Sequence, residues 1–189
     1  MIFRPGPAGG YEWVKCVDGD HGNQYIKDVD GKSCANRWRP VPVERFFADG
    51  DDQLADFPWL ISHTLVMRRR AVDALRDVLE AGGEILPLAT DDGVELFLLN
   101  VTRVIDALDL AKSQVWRFPE SGRIYFLETA AFHEHLVRDV DFFKLSIAPP
   151  NEIFVGERFV ERVQAAGLVG LSFELAWSPE RGPVKQRLW

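Results

Sequence analysis

Residues 153–177, IFVGERFVERVQAAGLVGLSFELAW, decide how this chain is read, because they run strand, helix, strand without interruption. Phe159, Val163 and Ala166 recur at helical spacing and form an apolar stripe. Gly167 stands just past that stripe, where a left-handed residue closes a helix. Leu171, Phe173, Leu175 and Trp177 then alternate, which predicts a strand with one apolar face.

An earlier stretch, LVMRRRAVDALRDVLEAGGEILPL from Leu65 to Leu88, has the same organisation. Val72, Leu75 and Leu79 share one helical face, and Arg69, Asp73, Arg76 and Asp77 stay polar. Gly82 and Gly83 are expected to end this helix with the left-handed cap, before a strand resumes in EILPL. Aligned from their strands, LVMRRRAVDAL and IFVGERFVERV match in pattern and charge placement with few identities. Either an internal duplication or two ordinary units accounts for this, and the second is the simpler. The Arg68–Arg70 triplet reads as a solvated helix start.

Between these units, Asp91, Asp92 and Gly93 predict a tight turn joining two strands. The apolar run from Val94 to Val101 predicts a central strand buried on both faces. DALDLAKSQVW reads as a compact turn, GRIYFLET as a strand, AAFHEHLVRD as a short helix with Phe132 and Leu136 four apart, and FFKLSI as extended chain. Residues 1–36 read mostly as turns, in RPGPAGG and DGDHGNQYIKDVDGKSC, with short strands in YEWVKCV and QYIKDV. RWRPVPVERFF suits the edge of a sheet, since proline donates no ladder hydrogen bond. The expected fold is α+β: a mixed, largely antiparallel sheet, two principal helices and an irregular β-rich N-terminal portion. Residues 1–56 form that portion, 57–177 the core and 178–189 a tail, within one structural domain.

The 189 residues are 47% hydrophobic and 12% aromatic, enough for a continuous core. A formal charge of −7 argues against nucleic acid; it could attract a basic protein partner, but keeping the protein in solution accounts for it more simply. Two cysteines, Cys16 and Cys34, suit reduced thiols rather than a disulfide framework. No apolar run reaches signal-peptide or membrane-span length, so a cytoplasmic location is expected.

No catalytic set emerges, and no cofactor is expected. HEHLVRDVD offers His133, His135 and Asp139 as metal ligands, the basis of an alternative as a small metal-dependent hydrolase. Histidines two apart on a helix point to different sides, which favours solvent-facing side chains instead. A ligand-binding regulatory domain is a further alternative. DGDHGN and DVDGK lack the ligands of a complete calcium loop. Asp106 and Asp109 would share a helical face, but local capping explains them more simply. Neither cysteine has a histidine arrangement that would activate it.

FLLNVTRVIDALDLAKSQVW, GRIYFLE, DFFKL and EIFVGERFVERVQAAGLVGLSFE occur in an order that resembles a bacterial polymorphic-toxin immunity family of the myxobacterial type, formerly known only as a domain of unknown function. The similarity spans roughly residues 60–177. It is carried by Asn100 and Val101, the DALD turn with Ser113, Asp141 and Phe143, and the final unit around Arg158, Phe159, Gly167, Gly170 and Phe173. Gly156 departs from the serine expected before the last helix. The resemblance implies a protein, encoded beside a toxin in a bacterium, that neutralises that toxin by binding it without chemistry or cofactor. Candidate contact residues are Asp49, Asp51 and Asp52 in the acidic loop, Asp91 and Asp92 in the turn, and Trp116, for each of which a solvated loop is the simpler reading.

Overall fold

A computed structural model of the chain describes residues 1–19, 26, 29–48, 50–60, 64–148 and 152–186. The strands β1 (Ile2–Pro7), β2 (Trp13–Cys16) and β3 (Val43–Phe46) come first. β4 (Leu65–Arg68) runs directly into α1 (Arg69–Gly82) and β5 (Gly83–Pro87), which turns back into β6 (Leu96–Val101). β7 (Val104–Ile105), the hairpin of β8 (Gln114–Arg117) and β9 (Ile124–Thr129), the one-turn α2 (Glu134–Val137) and β10 (Phe142–Leu145) follow. β11 (Phe154–Gly156), α3 (Glu157–Ala165) and β12 (Leu171–Ser178) form the last unit, with β13 (Gly182–Pro183) folded back on it. The class is α+β as expected, with two principal helices and mostly antiparallel pairing; β10 and β7 pair in parallel. QYIKDV lies largely outside the described residues.

The six-stranded sheet has the order β13-β12-β1-β11-β10-β7, and a three-stranded sheet has the order β4-β6-β5. In each, the two strands that flank a helix are separated by a third strand antiparallel to both. That strand is β6 between β4 and β5, and β1 between β11 and β12. The entries into the helices match as well: Arg68 has φ −80° and ψ 163°, Gly156 φ −81° and ψ 164°. The two units therefore share a plan, although the inserted strand follows one unit directly and reaches the other from the start of the chain.

β1 corrects the expectation of turns in RPGPAGG. Backbone N–H groups two residues apart point the same way along a strand. Ala8 donates to the Gly170 carbonyl at 3.1 Å, so Gly6 and Arg4 also face β12, while Pro5 and Pro7 turn their nitrogens the other way. On that side the pairing with β11 covers only Ile2 and Phe3. The prolines thus occupy positions where no ladder donor is required.

Three apolar clusters separate these layers. α1 contributes Val72, Leu75 and Leu79, and α3 contributes Phe159, Val160 and Val163, to a core shared with Met67, Leu99 and Val155. On the other face of the six-stranded sheet, Phe132 meets the rings of Phe143, Phe154 and Trp177 at centroid distances of 5.7, 5.0 and 6.0 Å. The third cluster packs Val14, Cys16 and Val43 of the β2–β3 ribbon against Val66, Leu86 and Leu98. β6 is buried on both faces, as expected for Val94–Val101: Leu99 and Val101 enter the first core, Leu96 and Leu98 the third.

Local details depart from sequence expectation. A bulge in the β1–β12 register pairs Ile2 with Trp177 and Phe3 with Leu175. The extra residue, Ala176, turns Trp177 away from the face of Leu171 and Phe173 and into the second cluster. Phe132 precedes α2 and bridges to Leu108, and it is Val137 rather than Leu136 that the short helix buries. Gly167 adopts φ +60°, with Gly167 N–H donating to Gln164 and Leu168 N–H to Val163, the double bond pattern of a Schellman cap. Gly82 and Gly83 do not take the left-handed form; Gly83 is extended at φ −164°. They answer to close packing instead, since a Cβ at Gly82 would lie 2.9 Å from the Phe142 ring and one at Gly83 2.6 Å from the Asn100 carbonyl oxygen.

Candidate partner-binding surface

The helices expose charge that is largely satisfied within the molecule. Arg162 of α3 holds Asp77 of α1 with two hydrogen bonds of 2.6 and 2.8 Å. Arg76 meets Asp73 and Glu80, and Arg158 grips the buried Asp141 through Nε at 2.7 Å and Nη2 at 2.5 Å. The Arg68–Arg70 triplet is not simply a solvated helix start. Arg68 binds Glu12, Arg69 binds Glu95 at 2.7 Å above the Phe97 ring, and Arg70 binds Asp56 at 2.5 Å. Arg70 also donates to the carbonyls of Ala166 and Gly167, placing a cation at the negative end of α3.

Glu12, which sequence reasoning passed over, organises the opposite edge. Its side chain is wholly buried. Oε1 accepts from Ala55 N–H at 3.0 Å and from Arg68 Nε at 3.1 Å, and Oε2 from Arg45 Nη1 at 2.9 Å. Its own N–H donates to the Gln53 carbonyl at 3.0 Å. Arg45 continues to Asp92 through Nε at 3.0 Å. One buried carboxylate thus ties the loop around Asp51 to the turn at Asp91–Gly93. The only sequence signal was an acid embedded in YEWV, which carries no periodicity.

The expected contact residues are distributed unevenly. Asp51 accepts from Gly10 N–H and from the Trp13 indole, both at 2.9 Å, so its carboxylate is fixed by neutral donors. Asp92 is held by Arg45, whose hydrogen bond is the main cause that lowers its pKa, with help from Val94 N–H. Asp52 and Asp91 are exposed and meet no cation among the described residues. Asp49 lies outside the described residues. Trp116 stands apart on the β8–β9 hairpin, 53% exposed, its indole donating to Glu128 at 3.0 Å.

The metal alternative finds no support in the geometry. His133 and His135 are both exposed with ring centroids 6.2 Å apart, Glu134 is engaged by Arg138, and Asp139 faces solvent. Among the described residues, no group of three or more His, Cys, Asp or Glu side chains is placed to hold a metal ion. Asp106 and Asp109 lie in a turn rather than on a helix and go to different partners, Ser146 and Lys112. Burial pushes both thiols up in pKa, aided at Cys16 by Asp18 and at Cys34 by Glu84.

Buried polar groups in this half of the chain serve the fold. Asn100 Nδ2 donates to the Lys32 carbonyl at 2.8 Å and to Glu84 at 2.9 Å. Ser113 Oγ donates to the Asp109 carbonyl at 2.7 Å and accepts from Ala131 N–H at 2.9 Å, closing the DALD turn. At Gly156, a serine would drive its Cβ into the Val140 carbonyl oxygen, which explains the departure from the expected residue.

With this scaffold in view, comparison with known proteins finds that the C-terminal part of the chain matches the model of an immunity protein family. The family is Imm11, and the matched residues are 88–177, from just before β6 to the penultimate residue of β12. The resemblance read from the sequence holds over that span; the stretch from about residue 60 to 87 is not part of the match. The family implies toxin neutralisation and a cognate toxin as partner. No curated protein matches the chain.

Proposed function

We propose that this chain neutralises its cognate bacterial toxin by direct binding, one copy to one toxin, in the cytoplasm of the cell that makes both. The observation that carries this reading is the match of residues 88–177 to the immunity family. Within that span most residues of the shared pattern serve the fold: Asn100, Ser113 and Asp141 complete internal hydrogen bonds, Phe143 and Phe159 are buried, and the exposed Arg158 is tied down by Asp141. A pattern made of internal residues specifies a support, and binding then falls to the surface held by it.

The test is to express the toxin encoded beside this chain's gene with and without the chain. Restored growth and a co-purifying one-to-one complex are expected. A titration of toxin activity distinguishes binding from catalysis, because a stoichiometric inhibitor reaches its end point at one chain per toxin. Full protection at a small fraction of that ratio, or no protection at all, would refute the proposal.

A further inference from the structure

Charge is not balanced evenly over the molecule. On the helices and the β8–β9 hairpin, Asp77, Glu80 and Glu128 have cations, and Glu161 and Glu120 are single exposed carboxylates without one among the described residues. At the edge organised by Glu12, the paired cations are Lys15, Arg45 and Arg68, and Glu44 and Glu12 already take them, with Asp92 sharing Arg45. Asp51, Asp52 and Asp91 are left over: the first is satisfied only by neutral N–H groups, and the other two meet no cation among the described residues. Part of the net charge of −7 is therefore gathered here.

The same edge presents apolar surface. Strand alternation turns Val14, Cys16 and Val43 inward, and Trp13, Lys15, Val17 and Phe46 to the outer face of the β2–β3 ribbon. Val17 is 62% exposed, and beside the acidic loop Phe47 and Leu54 are 45% and 60% exposed. Lys15 shows in miniature what such a face accepts: its ammonium lies 5.5 Å from the centre of the Phe46 ring and 2.9 Å from Glu44. Asp51 and Asp92 are fixed in advance, so little ordering cost falls on binding.

We infer that the outer face of the β2–β3 ribbon, with the acidic loop and the Asp91–Gly93 turn, docks a lysine- or arginine-rich surface of the toxin. The inference rests on the immunity reading and supplies its contact surface. A second copy of this chain would bring like charge against like and is disfavoured. Apart from the turn, the surface lies before residue 88, outside the matched span. Contacts peculiar to one toxin are thereby carried by a part of the chain that the family pattern does not fix.

The test measures binding of the adjacent gene's toxin to the full chain across a salt series. Three variants are compared with the wild type: Asp52→Lys with Asp91→Lys, Leu54→Ser, and Trp116→Ser on the hairpin, each verified by thermal melting. The charge reversal is expected to slow association about tenfold or more and to remove most of its salt dependence. Leu54→Ser speeds dissociation, and by more than Trp116→Ser does. Wild-type kinetics in the first two variants, with weakening in the third, would move the interface to the hairpin and overturn the inference. A wild-type chain that neither binds nor protects would instead overturn the immunity reading beneath it.

Discussion

Lys144, wholly buried in β10, donates from Nζ to the Val29 carbonyl at 2.9 Å. Burial pushes its pKa down from 10.5 to about 8, against the opposing pull of Asp30. The unfolded chain therefore binds the extra proton between those values, and this group's contribution makes stability rise with pH across that window. Keeping the ammonium charged in the fold at neutral pH costs on the order of 3 kcal/mol. Lys144→Met removes that cost but leaves the Val29 carbonyl unpaired, a penalty of about 1–3 kcal/mol. Relative to this variant, the wild type gains stability in urea titrations as pH rises from 7 to 10. A difference independent of pH would show that Lys144 does not titrate there.

Glu84 behaves in the opposite sense. Burial works to raise its pKa, yet hydrogen bonds from Cys34 N–H, Ser33 Oγ, Asn100 Nδ2 and Ala35 N–H hold it below the usual carboxylate value. Its stabilisation is fully present above the ordinary glutamate pKa and is lost as pH falls through the lowered one. Glu84→Gln reduces that acid-dependent loss, and the Cys34 and Ala35 amides of the variant exchange hydrogen faster at neutral pH. Unchanged exchange would mean that the carboxylate does not pin this segment.

Glu12→Gln tests the junction between the acidic loop and the turn. It leaves Arg45 and Arg68 without their buried counter-charge, and an expected loss of about 3–5 kcal/mol follows from breaking a buried ionic network. Asp92→Asn, at the exposed end of the same chain of contacts, shifts the urea midpoint far less. Equal effects would contradict Glu12 as the organising group.

At Gly156, helix capping and packing make opposite predictions. Serine is a favoured residue before a helix, so capping alone predicts stabilisation. The Val140 carbonyl occupies the space its Cβ needs, and a loss of about 1–3 kcal/mol is expected from overpacking. Thermal unfolding of Gly156→Ser decides between them.

What the sequence revealed was local. The stripes of α1 and α3, the Gly167 cap and the doubly buried β6 each follow from spacing within one segment. β1 could not be read that way: Pro5, Gly6 and Pro7 spell a turn until a partner at Leu171–Ser178 supplies the ladder. The acidic loop and turn were visible as charge. Their connection through Glu12 and Arg45 was not, because it joins residues brought together only by the folded sheets. Gly82 and Gly83 show the converse error, where a familiar helix-stop signal instead marks room for Phe142 and Asn100.

The seating of β1 also sets a clock. Ile2 pairs with Gly156 and Trp177, so once β1 is made it waits for both β11 and β12 to be synthesised before its sheet can close. At bacterial or cellular synthesis rates that delay is roughly 10–30 seconds. A protein built this way is all or nothing: a nascent or truncated chain lacks the two strands that β1 needs on either side. Under the proposed function, protection begins only with chains synthesised through β12.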